Sequence, residues 1–300
     1  MKDAELALCI MERQRGIEKI ISAGTEIMST PPASEDMGFL HSTLCQVGLP
    51  RSKIEGREFL RKSGSAWLFV QAGLLDEGFG PVWQPVPYGS LARLALIWIS
   101  TRAVQSRSRE IFIGKSASDF LRILGMGSDG RRHAMLRQQI NALAACRLQV
   151  GYREETHNIT PFSAFHIWQD KCENQQSQWP GILTLSSDYF SEIKNNNSVP
   201  LDLRAVRALK GSALALDIYT WLAQRLHRIE GKPILLRWKS IRDQFGQEYD
   251  GKNPAKDFKK DFLRALKKVA FAYPKARVRV VTTGLFLQSS PPPIPFKHCG

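Results

Sequence analysis

One order of elements is written twice in this chain, about 121–123 residues apart, and no other feature constrains the fold as tightly. In the first copy SLARLALIWISTRAVQS reads as a long helix starting near Ser90, with Leu91, Leu94, Ala95 and Trp98 on one face, the i, i+3, i+4, i+7 recurrence of an amphipathic helix. A short strand, EIFIG, follows, then a helix, SASDFLRILG, a Gly-rich turn, MGSDG, a second helix, RRHAMLRQQINALAAC, and a strand, RLQVGY. In the second copy ALALDIYTWLAQRLHRI leads to KPILLRW, KSIRDQFG, the turn QEYDGKNP, the helix AKDFKKDFLRALKKVAFAY, and the strands ARVRVV and GLFLQS. Trp98 falls against Trp221, Ile113 against Ile234, and Leu124-Gly125 against Phe245-Gly246.

Helix, strand, helix, turn, helix and β-hairpin is the order of a winged helix. Solenoid repeats run to about 20–50 residues, so a repeat this long implies two similar domains in tandem. The expected fold is therefore α+β, two tandem winged-helix domains related by a pseudo-repeat, and 300 residues accommodate two domains of about 150. Residues 1–48 mix a short helical pattern, with Leu6, Ile10, Ile17 and Ile20 apolar, with the loose stretch STPPASEDMG, and read as a weakly ordered leader. The first domain is placed at 49–195, the second, strongly basic one at 196–290, and a Pro-rich tail at 291–300. Within the first domain a strand is expected at Ala66 to Gln71. Residues 153–200 are polar and irregular, with the loops KCENQQSQWPG and IKNNNSVP around a strand, ILTLS, and a short helix capped by Ser186 or Ser187.

The net charge is +14, and it is unevenly spread: residues 201–300 hold 20 Lys and Arg against 8 Asp and Glu. Concentrated positive charge implies a polyanionic partner, because neutralising phosphates releases condensed counterions. Double-stranded DNA leads and an anionic membrane surface comes second. The longest apolar run, Leu94 to Ile99, is far short of the ~18 residues a membrane span needs, and the N-terminus has no secretory pattern. A cytoplasmic protein without membrane attachment is expected.

The helix opening at Pro254, where proline suits the first turn, is the leading DNA-binding element. Phe258, Phe262, Leu266 and Val269 share an apolar face, while Lys256, Lys260, Arg264 and Lys268 repeat every four residues beside it and Lys259 and Lys267 extend the stripe. Lys252 and Asn253 in the preceding turn join this set. Such a helix fits the major groove, lysines holding phosphates and arginine reading guanine. In the first domain the helix starting at Asp129 turns Leu136, Ile140 and Leu143 inward; Arg132, His133, Arg137 and Asn141 are expected on the opposite face, with Arg131, Gln138 and Gln139 flanking. Arg, Asn and Gln can each read a base edge with two hydrogen bonds. A strand from Ala276 to Val281 would turn Arg277 and Arg279 to one side as a wing.

Catalytic chemistry finds no pattern to carry it. The six histidines never take the His-x-His spacing that rolling-circle nucleases use to hold a metal, and no GxxxxGK[ST] loop exists to cradle a triphosphate. The five cysteines lie far apart with no CxxC pair, so they are read as reduced thiols, Cys146 in the core. No enzyme activity, metal or cofactor is expected.

Across GREFLRKSG, VPYGSLARLALIWISTRAV, SREIFIGKSASDFLRILGM, VPLDLRAVRALKGSALALDIYTWLAQRL and QFGQEYDGKNPAKDFKKDFLRALKKV, covering about Leu49 to Ser289, the chain resembles the plasmid-encoded RepA replication proteins. The resemblance implies theta-type initiation: binding repeated origin sequences, opening the duplex and recruiting a host helicase or initiator protein. It further implies a homodimer, formed through the first domain, that represses its own gene, and it places the recognition helix at Lys256 to Lys268. The two helices are then expected to enter major grooves of one repeated site. The competing expectation is a winged-helix transcriptional regulator that binds an operator without melting it.

Overall fold

The structure, a computed structural model, describes residues 2–165, 181–195 and 197–295, and only the helical backbone of residues 2–13 and 15. The loop expected at 171–180, together with His166, Cys172, His298 and Cys299, lies outside the described residues. Helix and sheet mix throughout, making the chain α+β. It divides into two compact units. The N-half unit is Gly38–Val199 with Asp243–Glu248, and the C-half unit is Met1–Met37, Pro200–Arg242 and Tyr249–Gly300.

In chain order α1 (Lys2–Ser29) comes first, followed by β1 (Met37–His41), α2 (Ser42–Gln46), β2 (Glu58–Ser63), β3 (Ala66–Gln71), β4 (Leu74–Asp76) and β5 (Pro81–Trp83). Next are α3 (Gly89–Ser106), β6 (Glu110–Phe112), α4 (Ala117–Ile123), α5 (Gly130–Ala145), β7 (Arg147–Tyr152), β8 (Glu155–Ile159), β9 (Phe162–Phe165), β10 (Ile182–Leu185), α6 (Ser187–Lys194) and β11 (Ser198–Asp202). The chain closes with α7 (Leu203–Leu209), α8 (Ala213–Arg225), β12 (Ile234–Arg237), α9 (Trp238–Phe245), α10 (Pro254–Ala272), β13 (Val278–Val281) and β14 (Gly284–Leu287).

The N-half unit is built around α3, which buries residues on every side from Leu91 to Ile97, the signature of a helix enclosed by its domain. It packs on α5 and α6, where the Ser100 and Tyr189 hydroxyls meet at 2.8 Å. Local rules placed several elements correctly. Ser186 caps α6 by accepting from the Tyr189 amide, and Asp129 caps α5 by accepting from the Arg132 amide at 2.9 Å, as short polar side chains at helix starts do. Cys146 is buried, and burial pushes its thiol up to about 12.

Among the described residues this unit also holds the antiparallel sheets β6-β10-β9 and β2-β3-β7-β8 and the hairpin β4-β5. The strand RLQVGY, expected as the hairpin strand of the first copy, is β7 and pairs with β3 in the four-stranded sheet. The strands that follow α5 in the repeated pattern are β9 and β10, because β7 and β8 are inserted ahead of them. The C-half unit holds β12-β14-β13, the same connectivity as β6-β10-β9, its first strand pairing with its last. By element starts, α3 and α8, β6 and β12, and α5 and α10 each stand 124 residues apart, and α4 and α9 stand 121 apart.

In the C-half unit α8 is buried from Leu214 to Gln224 and packs against α10. Residues 2–29, expected as part of a weakly ordered leader, form α1 and pack on α7 and α10. Ile20 is buried there, and Gly24 lies so close to α10 that a Cβ would stand 2.4 Å from the Phe271 carbonyl oxygen. The missing side chain of Gly24 is thus what lets the two helices approach there.

Candidate nucleic-acid interface

In the C-half unit α10 docks through Phe258, Phe262, Ala265, Leu266, Val269 and Ala272, all buried. Rings lock this face: Phe258 lies 5.5 Å from both Tyr249 and Phe262, and Phe262 lies 6.0 Å from Trp238. Burying phenylalanine at four-residue spacing forces the opposite quadrant outward. Lys252, Asn253, Lys256, Lys260, Arg264 and Lys267 are exposed, while Lys259 and Lys268 are half-buried. Lys267, rather than Lys268, therefore completes the outermost row.

The free charge on this helix is uneven. Lys252, Lys256, Lys260, Lys267 and Lys268 make no ion pair among the described residues. Arg264 pairs with Asp261 at 3.2 Å, and Tyr249 donates to that same carboxylate. The Lys259 ammonium sits over the Trp238 ring at 4.8 Å, which fixes it at the flank. Beside the helix, β13 and β14 form a hairpin that turns at Thr282 and Thr283. Trp238 holds the turn, its backbone amide donating to the Thr283 carbonyl and its indole N–H to the Thr282 carbonyl. Arg277 and Arg279 are both exposed, Arg279 lying over Phe286 at 5.0 Å. Arg277 precedes the strand, and Val280 is also exposed. Sequence reasoning missed Trp238, although an aromatic residue between basic ones in LRWKS was the available signal.

In the N-half unit α5 occupies the same place in the element order with a different use of its polar side chains. Asn141, expected on the exposed face, is buried, and its Nδ2 donates to Glu77 Oε1 at 3.1 Å. The cause is the β4-β5 hairpin, whose two three-residue strands carry no periodicity in the sequence. Gln138 accepts from the Tyr88 hydroxyl and Gln139 from the Tyr88 amide. His133 stands 3.0 Å from the Ser118 hydroxyl and 2.8 Å from that of Ser128, tying α5 to α4 and the turn between them. Arg132 folds back on its own cap, Nη1 to Asp129 at 2.7 Å. Arg131 is exposed and Arg137 half-buried. A cavity of about 530 Å³ opens between the hairpin and this helix, lined in part by Trp83, Arg137 and Gln138.

Residues 86–238 match the model of a family described as plasmid encoded RepA protein. No curated protein matches the chain in sequence. Among solved structures, the selenomethionine crystal structure of domains 2 and 3 of RctB superposes with a TM-score of 0.51 at 10% identity, covering 83% of this chain and 98% of that one. A second structure of RctB domains 2–3 gives 0.48 at 11% identity, covering 80% and 85%. The first of these likenesses is one of fold. Among the described residues no helix is long and apolar enough to cross a membrane.

Proposed function

The chain belongs to the plasmid-encoded RepA protein family, and on that premise we propose that it is a plasmid replication initiator that binds repeated duplex sequences at its origin. The observation that carries this reading is the row of unpaired lysines on the exposed face of α10. An exposed helix with one docked face and one cationic face fits the major groove, and each lysine that neutralises a phosphate adds a salt-sensitive increment of affinity. We read both units as winged helices, with α10 as the principal recognition helix. Its wing is the turn at Thr282 and Thr283 with Arg277 and Arg279 beside it.

In this reading α5 is a secondary contact through Arg131 and Arg137. Binding energy bends the site and biases adjacent AT-rich duplex towards opening. Host replication proteins and a homodimer formed through the first domain complete the proposed assembly, and the protein performs no covalent chemistry of its own.

Selection of preferred duplexes from a random pool at about physiological salt, where non-specific phosphate binding is weak, tests the proposal. The expected result is an extended motif that recurs as direct repeats beside an AT-rich segment of the source DNA. A motif found only at a promoter would make the chain a transcriptional regulator, and no enriched motif would overturn sequence-specific binding altogether.

A further inference from the structure

The N-half unit carries a second surface of different character, the outward face of the β2-β3-β7-β8 sheet. Along β3, Ala66, Leu68 and Val70 are buried while Trp67, Phe69 and Gln71 point the other way, as a two-residue period requires. Strand register sets Leu60, Phe69, Gln149 and Asn158 in one row and Lys62, Trp67, Gly151 and Thr156 in the next. Two aromatic residues therefore leave a central strand on one face, their backbones about 7 Å apart and neither residue fully covered.

Trp67 is held open by its neighbour. A Cβ on Gly151 would stand 2.0 Å from the indole Nε1, so the ring spreads across the glycine and turns its other face outward. Phe69 borders a recess of about 390 Å³ with Gln71, Arg147, Gln149, Asn158 and Asp188. Gln149 Nε2 donates to Asn158 Oδ1 at 2.7 Å, which leaves the Gln149 carbonyl and the Asn158 amino group as an adjacent acceptor and donor. A nucleobase edge presents the complement of that pair. Lys62 and Arg147 are exposed and make no ion pair among the described residues, whereas Glu58 is engaged by Gln71 at 3.3 Å.

We propose that this sheet face binds single-stranded DNA, its bases stacking on Trp67 and Phe69 and its phosphates meeting Lys62 and Arg147. Stacking platforms flanked by cations bind unpaired strands because every base has a π face. A duplex keeps those faces covered by neighbouring bases, so the surface selects the open strand. The choice of DNA as the polymer rests on the reading of the chain as an origin-binding protein. An initiator that opens a duplex then has a surface on which to hold one of the separated strands.

The experiment measures the full-length protein against fluorescein-labelled dT20 by anisotropy at about physiological salt, with the selected duplex as a parallel probe. Phe69→Ala, and separately the pair Lys62→Glu and Arg147→Glu, are expected to weaken dT20 binding at least tenfold, with duplex affinity and thermal unfolding unchanged. Trp67→Ala should do the same and also abolish the dT20 quenching of its fluorescence. Because that variant exposes Gly151 and loosens the sheet, Phe69→Ala is the deciding one. Wild-type protein that fails to bind dT20, or variants that bind it as wild type does, would overturn the proposal. So would loss of dT20 binding on charge reversal of α10 alone, which would move the site there. Protein that binds dT20 through the sheet yet selects no duplex would sink origin binding while this site stood.

Discussion

Helices α5 and α10 hold the same place in the repeated order of elements, yet they use their polar side chains in opposite ways. On α10 the exposed row is lysine with little acid near it, and most of it is unpaired. On α5 the residues best suited to reading bases are already engaged: Gln138 and Gln139 with Tyr88, Asn141 with Glu77, His133 with two serines, and Arg132 with its own cap. A side chain is available for recognition only if the fold has left its hydrogen-bonding groups unused. Residue type alone does not show which of these groups the fold has already used. The contrast is one of commitment: α5 braces its unit and α10 presents charge.

The N-half unit is braced away from α5 as well, by buried charges whose removal is the largest effect expected. Arg61 is 1% exposed, pairs with Glu248 and donates to the Gly48 and Leu49 carbonyls, each at 3.0 Å. The Arg51 amide donates to the same carboxylate at 3.0 Å. Removing one partner of a buried pair costs about 3–5 kcal/mol, because the other charge stays behind without water. Glu248→Ala should therefore lower the urea-unfolding free energy by about that amount. A loss below about 1 kcal/mol would show the pair to be solvated and the bracing weaker than drawn.

Next in size is the test of presentation. Lys256→Glu, Lys260→Glu and Lys267→Glu together should weaken specific duplex binding by at least about a hundredfold at physiological salt and flatten its salt dependence. Thermal unfolding should stay nearly constant, since all three face solvent. The matching reversal of Arg131 and Arg137 on α5 should cost about tenfold. Equal losses from the two sets would abolish the contrast, and a coupled loss of folding would refute the face assignment on α10.

Smaller again is Asn141→Ala. Its amide spans α5 and Glu77, so the expected cost is about 1–2 kcal/mol of stability with the preferred duplex sequence unchanged. A relaxed sequence preference at constant stability would return Asn141 to the base-reading role that its helix position first suggested.

What the sequence made legible was local. The start of α10 at Pro254, the Asp129 and Ser186 caps, and β3 and β7 to the residue all follow from rules acting within a few positions. What it hid was pairing. Nothing near Arg147 announces that β7 joins β3, where Arg147 pairs with Gln71 at a separation of 76, nor that Asn141 meets Glu77 at a separation of 64. Helix α1 was legible only as a short helical pattern at Leu6, Ile10, Ile17 and Ile20: its hold on α7 and α10 is tertiary, and Gly24, where α10 comes close, counts against a helix in any local scale. The basic face of α10 was readable because a charge row needs no partner.

The smallest expected effect concerns acid. Glu192 sits between two imidazoles, its Oε2 3.5 Å from His41 Nε2 and its Oε1 3.1 Å from His157 Nδ1, and it accepts from Asn197 Nδ2 at 2.7 Å. The His41 interaction leads in holding its carboxyl down to about 2, against the opposing pull of burial, with help from Asn197 and His157. A carboxyl depressed in the folded state adds stability that is fully present above its unfolded value near 4.5 and is lost as pH falls through about 2. The N-half unit should therefore weaken on acidification within that window, and Glu192→Gln should flatten the dependence there. The side chain is 20% exposed, so screening keeps the effect below that of Glu248. A wild-type acid profile that Glu192→Gln leaves unaltered would mean that the carboxylate is already balanced by solvent. The buried histidine beside it would then be a packing residue, and the bracing of this unit would fall to Arg61 and Glu248.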